Sequence, residues 1–248
     1  GFSTISQNSM DIVSDRDYIV EYLSNAAICM AHTSRLAEEI VLWSTQEFGF
    51  INLSDQYVTG SSMMPQKQNP DVLELARGRA ASVLGHTQAV STLLKGLPTS
   101  YHRDLQEDKP HLFSVVDIVE STLGILPRVI EGFSLLPARY EDLLEDGFLA
   151  ATDLAEYLVE KGVPFREAHR RVGELVSYCE SEGSSLQELS LEDLQEWSPE
   201  CTEEVLGRLD PESSLRTRNH AGATGVSAVE QQIGYWRSWL AQSRTSLS

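Results

Sequence analysis

Three long stretches of the chain carry apolar or small residues at alternating spacings of three and four, which places them on one face of a helix. No apolar–polar alternation of the kind typical of a strand competes with this repeat. We therefore predict an all-α chain whose long helices pack nearly parallel in a bundle. The repeating positions are Ile19, Leu23, Ala26, Met30, Thr33, Ala37, Ile40 and Ser44, then Leu73, Ala76, Ala80, Val83, Thr87, Val90 and Leu94, then Leu112, Val116, Val119, Leu123, Leu126, Ile130 and Phe133.

The composition changes at Pro137, after which the helical segments become shorter and acidic residues more frequent. We expect helices over residues 152–161, 164–182, 191–197 and 226–242, and a loop over residues 1–13. The sequence therefore predicts two domains: residues 1–136 form part of a helical bundle, and residues 137–248 form a small α-helical domain. Three long helices make a thin core, so we also expect partner helices from other subunits.

The segment 59–71, between the first two long helices, combines turn residues with the start of a helix. Gly60 and the two serines after it favour turns with exposed N–H groups. Asn69 is a good N-cap, and Pro70 suits the first helical position. No acidic residue occurs from Gln56 to Pro70, although the chain carries 37 of them. Two hydroxyls, the Lys67 ammonium and a helix N-terminus suit a carboxylate or phosphate ligand, but a solvated, capped loop fits the same residues.

The composition narrows the classes of partner. The chain of 248 residues is 41% hydrophobic, which indicates a globular protein, and its formal net charge is −18 with a pI near 4.6. Nucleic acid and anionic membranes are poor partners for such a charge, and no apolar run approaches the roughly 20 residues of a membrane-spanning helix. The histidines have no metal-ligand spacing, so we predict no metal. Three distant cysteines suggest no disulfide framework and favour a reducing, cytoplasmic compartment.

Residues 60–70, Gly-Ser-Ser-Met-Met-Pro-Gln-Lys-Gln-Asn-Pro, resemble the signature of the fumarase/aspartase superfamily, usually written G-S-S-x-M-P-x-K-x-N. With Gln66 and Asp71, the segment looks most like the argininosuccinate lyase branch. A ten-residue pattern with seven fixed positions is highly specific. The resemblance runs from about residue 8 to residue 225 and corresponds to roughly the C-terminal half of a complete lyase. It implies a homotetramer with active sites shared between subunits, and no organic cofactor.

The resemblance also implies roles for four residues of this region. Ser61 corresponds to the catalytic serine on a mobile loop, whose alkoxide the loop N–H groups must stabilise. Lys67 and Asn69 correspond to residues that hold the substrate carboxylate, where charge develops during proton removal. Glu74 corresponds to a residue that raises the basicity of a catalytic histidine from another subunit. The alternatives are a turn serine, a solvated lysine, a helix N-cap and a first-turn glutamate.

Residues 101–109, Tyr-His-Arg-Asp-Leu-Gln-Glu-Asp-Lys, resemble the argininosuccinate lyase segment usually written Y-N-[KR]-D-L-Q-E-D-K. Tyr101, Gln106 and Lys109 then correspond to residues that bind argininosuccinate, whereas His102 replaces the usual Asn. Arg16 lies in a segment like the family's S-x-R-D, where it would contact a carboxylate or form a salt bridge near the helix start.

The function implied by the resemblance is cleavage of argininosuccinate to arginine and fumarate by β-elimination, in arginine biosynthesis. Two alternatives stay open. One is another superfamily lyase, such as adenylosuccinate lyase, and the other is a non-catalytic oligomeric protein like the lens crystallins of this fold. The sequence upstream of residue 1, where the catalytic histidine is expected, would distinguish an enzyme from a structural protein.

Overall fold

The computed structural model of the chain describes residues 3–64, 66–145 and 148–247, so Pro65 of the signature lies outside the described residues. The chain divides into two compact units, Gly1–Arg139 and Tyr140–Ser248. The sequence places a domain boundary after residue 136, and that domain assignment stays a prediction. No helix among the described residues is long and apolar enough to cross a membrane.

The first unit is built on three long helices joined by short irregular segments, as predicted. A short helix that the sequence did not predict precedes them, because the Asn8 side chain accepts the N–H groups of Met10 and Asp11 and so caps its start. The helices are α1 (Ser9–Ile12), α2 (Asp17–Trp43), α3 (Asp71–Leu94) and α4 (Asp108–Gly132). Four short strands form two antiparallel pairs, β1 (Ile51–Asn52) with β4 (Ser134–Leu135) and β2 (Thr59–Gly60) with β3 (Gln68–Asn69).

The predicted apolar face is buried along α2 and α3 but is displaced on α4. Leu23 and Val83 are fully buried, as expected for residues between packed helices. On α4, by contrast, Val115 and Val129 are buried, while Leu123 is 40% and Ile130 38% exposed. The prediction for α4 was thus right at Leu126, which is buried, and wrong at Leu123 and Ile130, because apolar residues occur on two adjacent faces of this helix.

Contacts along α3 show that α2 and α4 both run antiparallel to it. The Thr87 hydroxyl near the end of α3 donates to the carbonyl of Leu23 near the start of α2, at 3.1 Å. Nearer the start of α3, Arg77 pairs with Glu38 in the second half of α2. Likewise, residue 86 of α3 contacts residue 114 of α4, and residue 79 contacts residue 121. The N-termini of α2 and α4 therefore lie at the C-terminal end of α3.

The second unit contains the shorter helices around its own core. Tyr157 is fully buried there, and its hydroxyl lies 3.0 Å from Thr202 Oγ1 and accepts the N–H of Thr202 at 3.1 Å. Gly183 ends α7 in the left-handed region at φ +67°, a conformation that glycine adopts without strain. Helix α5 (Pro137–Glu145) spans the division between the two units, and the helices that follow it are α6 (Ala151–Glu160), α7 (Phe165–Glu182), α8 (Leu191–Trp197), α9 (Glu204–Arg208), α10 (Pro211–Thr217) and α11 (Val226–Leu247).

Candidate active site

The signature segment forms a hairpin loop at the N-terminal end of α3. Thr59 pairs with Asn69 and Gly60 with Gln68 across the β2–β3 ladder. The Thr59 hydroxyl also donates to the Asp71 carboxylate in the first turn of α3. Both ends of the loop are thus fixed to the helix start, while the described residues between them, 61–64 and 66–67, lie beyond the paired strands.

Ser61 is the first residue beyond the ladder, and its side chain is turned toward the backbone of its own loop. Its Oγ accepts the N–H groups of Met63 and Met64, both at 3.3 Å. The serine is half-buried, whereas Met63 is 88% exposed. Two N–H dipoles directed at one oxygen stabilise negative charge on it, which is the condition for a serine alkoxide. The arrangement can therefore support proton abstraction by Ser61.

Asn69 and Lys67 lie on the returning side of the loop. The prediction that Asn69 caps a helix starting at Pro70 was wrong: α3 starts at Asp71, and its N-cap is Pro70, without a side-chain capping hydrogen bond. The ladder to Thr59 holds the Asn69 backbone extended, so it cannot turn into the helix. Its half-buried amide is not used for capping and can face a ligand. The Lys67 side chain is exposed and forms no salt bridge within the described part of the chain.

Glu74 is exposed in the first turn of α3, at the same end as Ser61. Its charge acts on Arg77, which lies one turn further along the helix. The pKa of the Arg77 guanidinium is raised chiefly by its hydrogen bond to Glu38, and Glu74 adds to the same effect. The Glu74 carboxylate thus faces solvent, where a group from another chain could reach it.

The second motif begins at a strained residue. Ser100 has φ +81°, which is uncommon for a residue with a side chain, and its N–H donates to the Met10 carbonyl at 3.0 Å. Tyr101 follows and is 46% exposed. Gln106 is exposed on the 3₁₀ helix Arg103–Glu107, which the buried Leu105 anchors to the bundle. The motif therefore presents polar groups to solvent from a fixed backbone.

Lys109, the third predicted ligand of this motif, stands in the first turn of α4 beside Asp108. The Asp108 carboxylate is buried, and it accepts hydrogen bonds from Lys109 Nζ at 2.9 Å and Arg16 Nε at 2.5 Å. Burial raises the pKa of Asp108, but the hydrogen bonds from Lys109 and Arg16 outweigh it and hold this pKa below its usual value. Arg16 thus forms a salt bridge, but its partner lies 92 residues away at the start of α4 and not in its own capping region, as the sequence suggested.

The two motifs lie at opposite ends of α3, so one chain does not bring them together. The signature loop precedes Asp71 and the second motif follows Leu94, and the 24 residues between span about 36 Å at 1.5 Å per residue. Ser61, Lys67, Asn69 and Glu74 share the first end, and Tyr101, Gln106 and Lys109 share the second.

No group of three or more His, Cys, Asp and Glu side chains that could hold a metal occurs among the residues that the structure describes. The cysteines Cys29, Cys179 and Cys201 are free. The two ends of α3 carry hydroxyl, amide and ammonium groups, and these suit an anionic organic ligand.

Comparisons with known proteins agree on one family. The sequence model described as "Argininosuccinate lyase C-terminal" matches residues 148–216, and the model described as "Lyase" matches residues 1–85. The argininosuccinate lyase of Moorella thermoacetica is 48% identical over 248 residues, which are 100% of this chain and 53% of the relative. That of Carboxydothermus hydrogenoformans is 50% identical over 242 residues, covering 97% of this chain and 53% of the relative. The chain therefore spans about half the length of the curated relatives it matches.

Solved structures extend the similarity to the fold. EDDS lyase in complex with formate has a TM-score of 0.85 and 26% identity, covering 99% of this chain and 51% of that one. The 3-carboxy-cis,cis-muconate lactonizing enzyme from Pseudomonas putida has a TM-score of 0.68 at 21% identity, covering 84% and 46%, which supports the fold alone. The predicted all-α fold is thus confirmed, and so is the resemblance carried by the two motifs: over its whole length this chain is similar to argininosuccinate lyases.

Proposed function

We propose that the complete protein cleaves argininosuccinate to arginine and fumarate by β-elimination. The observation that carries this proposal is the environment of Ser61, whose Oγ accepts two loop N–H groups at 3.3 Å. A serine is a useful base only as its alkoxide, and these two donors lower the free energy of that form. The activity is a proposal for the whole protein, because the chain spans about half of its relatives.

In the proposed reaction, Ser61 removes a proton from the succinyl carbon next to a carboxylate. The electron pair left on that carbon forms the double bond of fumarate, and the bond between the neighbouring carbon and the guanidinium nitrogen breaks. The departing nitrogen gains a proton, so arginine leaves as the free amino acid. Lys67 and Asn69 bind the carboxylate that carries the extra charge, and they stabilise the transition state more than the substrate.

The proposed site is shared between subunits. Because about 36 Å of helix separates Ser61 from Gln106 in one chain, each site must combine the first end of α3 in one subunit with the second end in another. Glu74 would raise the basicity of a histidine from a further chain. A homotetramer satisfies these requirements. The proposed reaction uses no organic cofactor or metal, and its proposed place is the cytoplasm, in arginine biosynthesis.

The test uses the full-length protein and follows fumarate by its ultraviolet absorbance. Argininosuccinate, adenylosuccinate and malate are supplied in parallel at equal concentration. Rapid fumarate release from argininosuccinate alone is expected. Equal or faster release from adenylosuccinate or malate would point to another superfamily lyase, and no release from any of the three would favour a non-catalytic oligomeric protein.

A further inference from the structure

We propose that Asp108 is a positioning residue that directs the Lys109 ammonium toward a carboxylate of the arginine-bearing half of the substrate. The inference rests on the proposed function, and it adds a residue to which the sequence motif assigned no contact with the ligand. The inference also assigns a role to Arg16, because the salt bridge from Arg16 holds the Asp108 carboxylate in place.

The first observation is that both oxygens of a buried carboxylate are occupied. The Asp108 side chain is 1% exposed; Oδ2 accepts from Arg16 and Oδ1 accepts from Lys109. Arg16 is 13% exposed, and its Nη1 also donates to the Asp15 carbonyl at 2.7 Å. Because each of these groups has a fixed partner, the position of Oδ1 is determined both by the start of α4, which carries Asp108, and by the start of α2, where Arg16 lies.

The second observation is the difference between the two cations. Arg16 alone would neutralise the buried carboxylate, and its side chain is largely buried as an internal partner would be. Lys109 is instead 56% exposed, although its ammonium is bound to the same carboxylate. An ammonium has three N–H donors, and Asp108 occupies one of them, so the others can face a ligand.

A third observation shows that the same short segment fixes the rest of the motif. The Met10 carbonyl accepts the Ser100 N–H at 3.0 Å, and the Arg16 side chain donates to the Asp108 carboxylate. Residues 10–16 thus contact the 100–109 segment at two points, one just before Tyr101 and one just before Lys109. Backbone strain at Ser100 is typical of a segment whose geometry serves a site.

The positive charge of the Lys109 ammonium determines which kind of ligand group can bind there. A lysine ammonium whose negative partner is buried presents its remaining donors to an anion, and the arginine-bearing half of the substrate contains an α-carboxylate. A freely rotating lysine would lose side-chain entropy when it bound this group, whereas a pre-positioned one loses less. The inferred contribution of Asp108 is therefore to substrate affinity at one end of the site.

The experiment uses the full-length enzyme in the reverse direction, in which arginine adds to fumarate. In Asp108→Asn, the isosteric amide keeps one acceptor but can no longer satisfy both cations. We expect the KM for arginine to rise roughly tenfold, with the KM for fumarate unchanged, because only the arginine end of the site is affected. Arg79→Gln, which removes the exposed contact to Ser121 between α3 and α4, is the matched control and should change neither constant.

A second variant separates positioning from folding. Arg16→Met combined with Asp108→Leu replaces the buried ion pair by apolar side chains of similar volume, a change that often preserves stability. The raised KM for arginine should persist in this variant. Unchanged constants in both variants, or a parallel rise for arginine and fumarate, would overturn the positioning role. If the unmodified enzyme does not join arginine to fumarate, the proposed function itself is wrong, and this inference fails with it.

Discussion

Ser61 and Gln106 lie at opposite ends of α3, separated by a helix of 24 residues, or about 36 Å at 1.5 Å per residue. Both belong to motifs that the sequence connects with one reaction. Because a substrate of the size of argininosuccinate cannot bridge this distance, the proposed function requires that the two residues of one chain serve two different sites.

The first prediction tests this relationship with two impaired full-length proteins. Ser61→Ala and Gln106→Ala subunits, each poorly active alone at a substrate concentration well below the KM, are unfolded, mixed in equal amounts and refolded together. A site that takes Ser61 from one subunit and Gln106 from another is intact in about a quarter of random combinations. We therefore expect about a quarter of wild-type fumarate release at this low substrate concentration, against about a tenth or less for either variant alone.

The control is a mixture of each variant with itself, refolded in the same way, which should remain at the level of the single variant. If the mixed oligomer forms, as native mass spectrometry would establish, and shows no gain over the separate variants, then both residues act within one chain and the shared site is excluded.

A second prediction concerns Ser61 alone. In the full-length enzyme, Ser61→Ala should lower kcat by about a thousandfold or more and change KM little, because the alkoxide develops charge only during proton transfer. Ser91→Ala is a matched control, since this exposed serine of α3 only donates to the carbonyl of Thr87. A near-normal kcat in Ser61→Ala would remove this residue from the mechanism.

A third prediction concerns the second motif. Gln106→Ala should raise the KM for argininosuccinate roughly tenfold, because a polar group of the substrate loses its partner. Gln106 is exposed, so circular dichroism should show unchanged helicity. Gln88→Ala provides the comparison, because Gln88 is also exposed and its side chain donates to Thr92 on the same helix. Equal KM values in the two variants would reject a binding role for Gln106.

A fourth prediction concerns a histidine pair between α3 and α4. His86 Nδ1 and His111 Nδ1 lie 2.8 Å apart, within hydrogen-bond distance, so protonation of both rings would place two cations in contact. Partial burial, followed by the charge of His111, lowers the pKa of His86 from its ordinary 6.5. The unfolded chain therefore binds protons more readily, and the free energy of unfolding should fall as the pH drops through 6.5 toward the lower folded-state pKa.

Urea unfolding between about pH 7.5 and about pH 5.5 measures this effect. His111→Gln should flatten the pH dependence, because the pair can no longer acquire two charges. His169→Gln, at an exposed position of α7, should keep the wild-type slope. The same slope in all three proteins would show that the pair does not influence folding.

Local chemistry explains which features were predictable. The helix over residues 191–197 starts and ends as expected, because Ser190 and Asp193 form a capping box within one turn. The three-and-four spacing likewise located the long helices. The β2–β3 pair was not predicted, since strands of two residues have no alternation to detect, and its formation also moved Asn69 out of the cap position.

Contacts between residues far apart in the sequence could not be predicted from the pattern of residues, for a different reason. Arg16 and Asp108 are 92 residues apart, and nothing in either segment indicates that the starts of α2 and α4 meet. The signature predicted Ser61 as a functional residue, but only the loop conformation shows which N–H groups reach its oxygen. Roles that need two subunits remain predictions, because the geometry of one chain does not contain them.

The length of α3 matters for more than packing, because it sets the distance and the rotation between the two proposed sets of site residues at its ends. Each residue added to or removed from it turns everything beyond by about 100° and shifts it by about 1.5 Å. Deleting one residue in the middle of α3 would therefore change the relative orientation of the side chains at its two ends, although none of those side chains is altered. The number of residues from Asp71 to Leu94 is thus as much a property of the proposed active sites as the identity of Ser61.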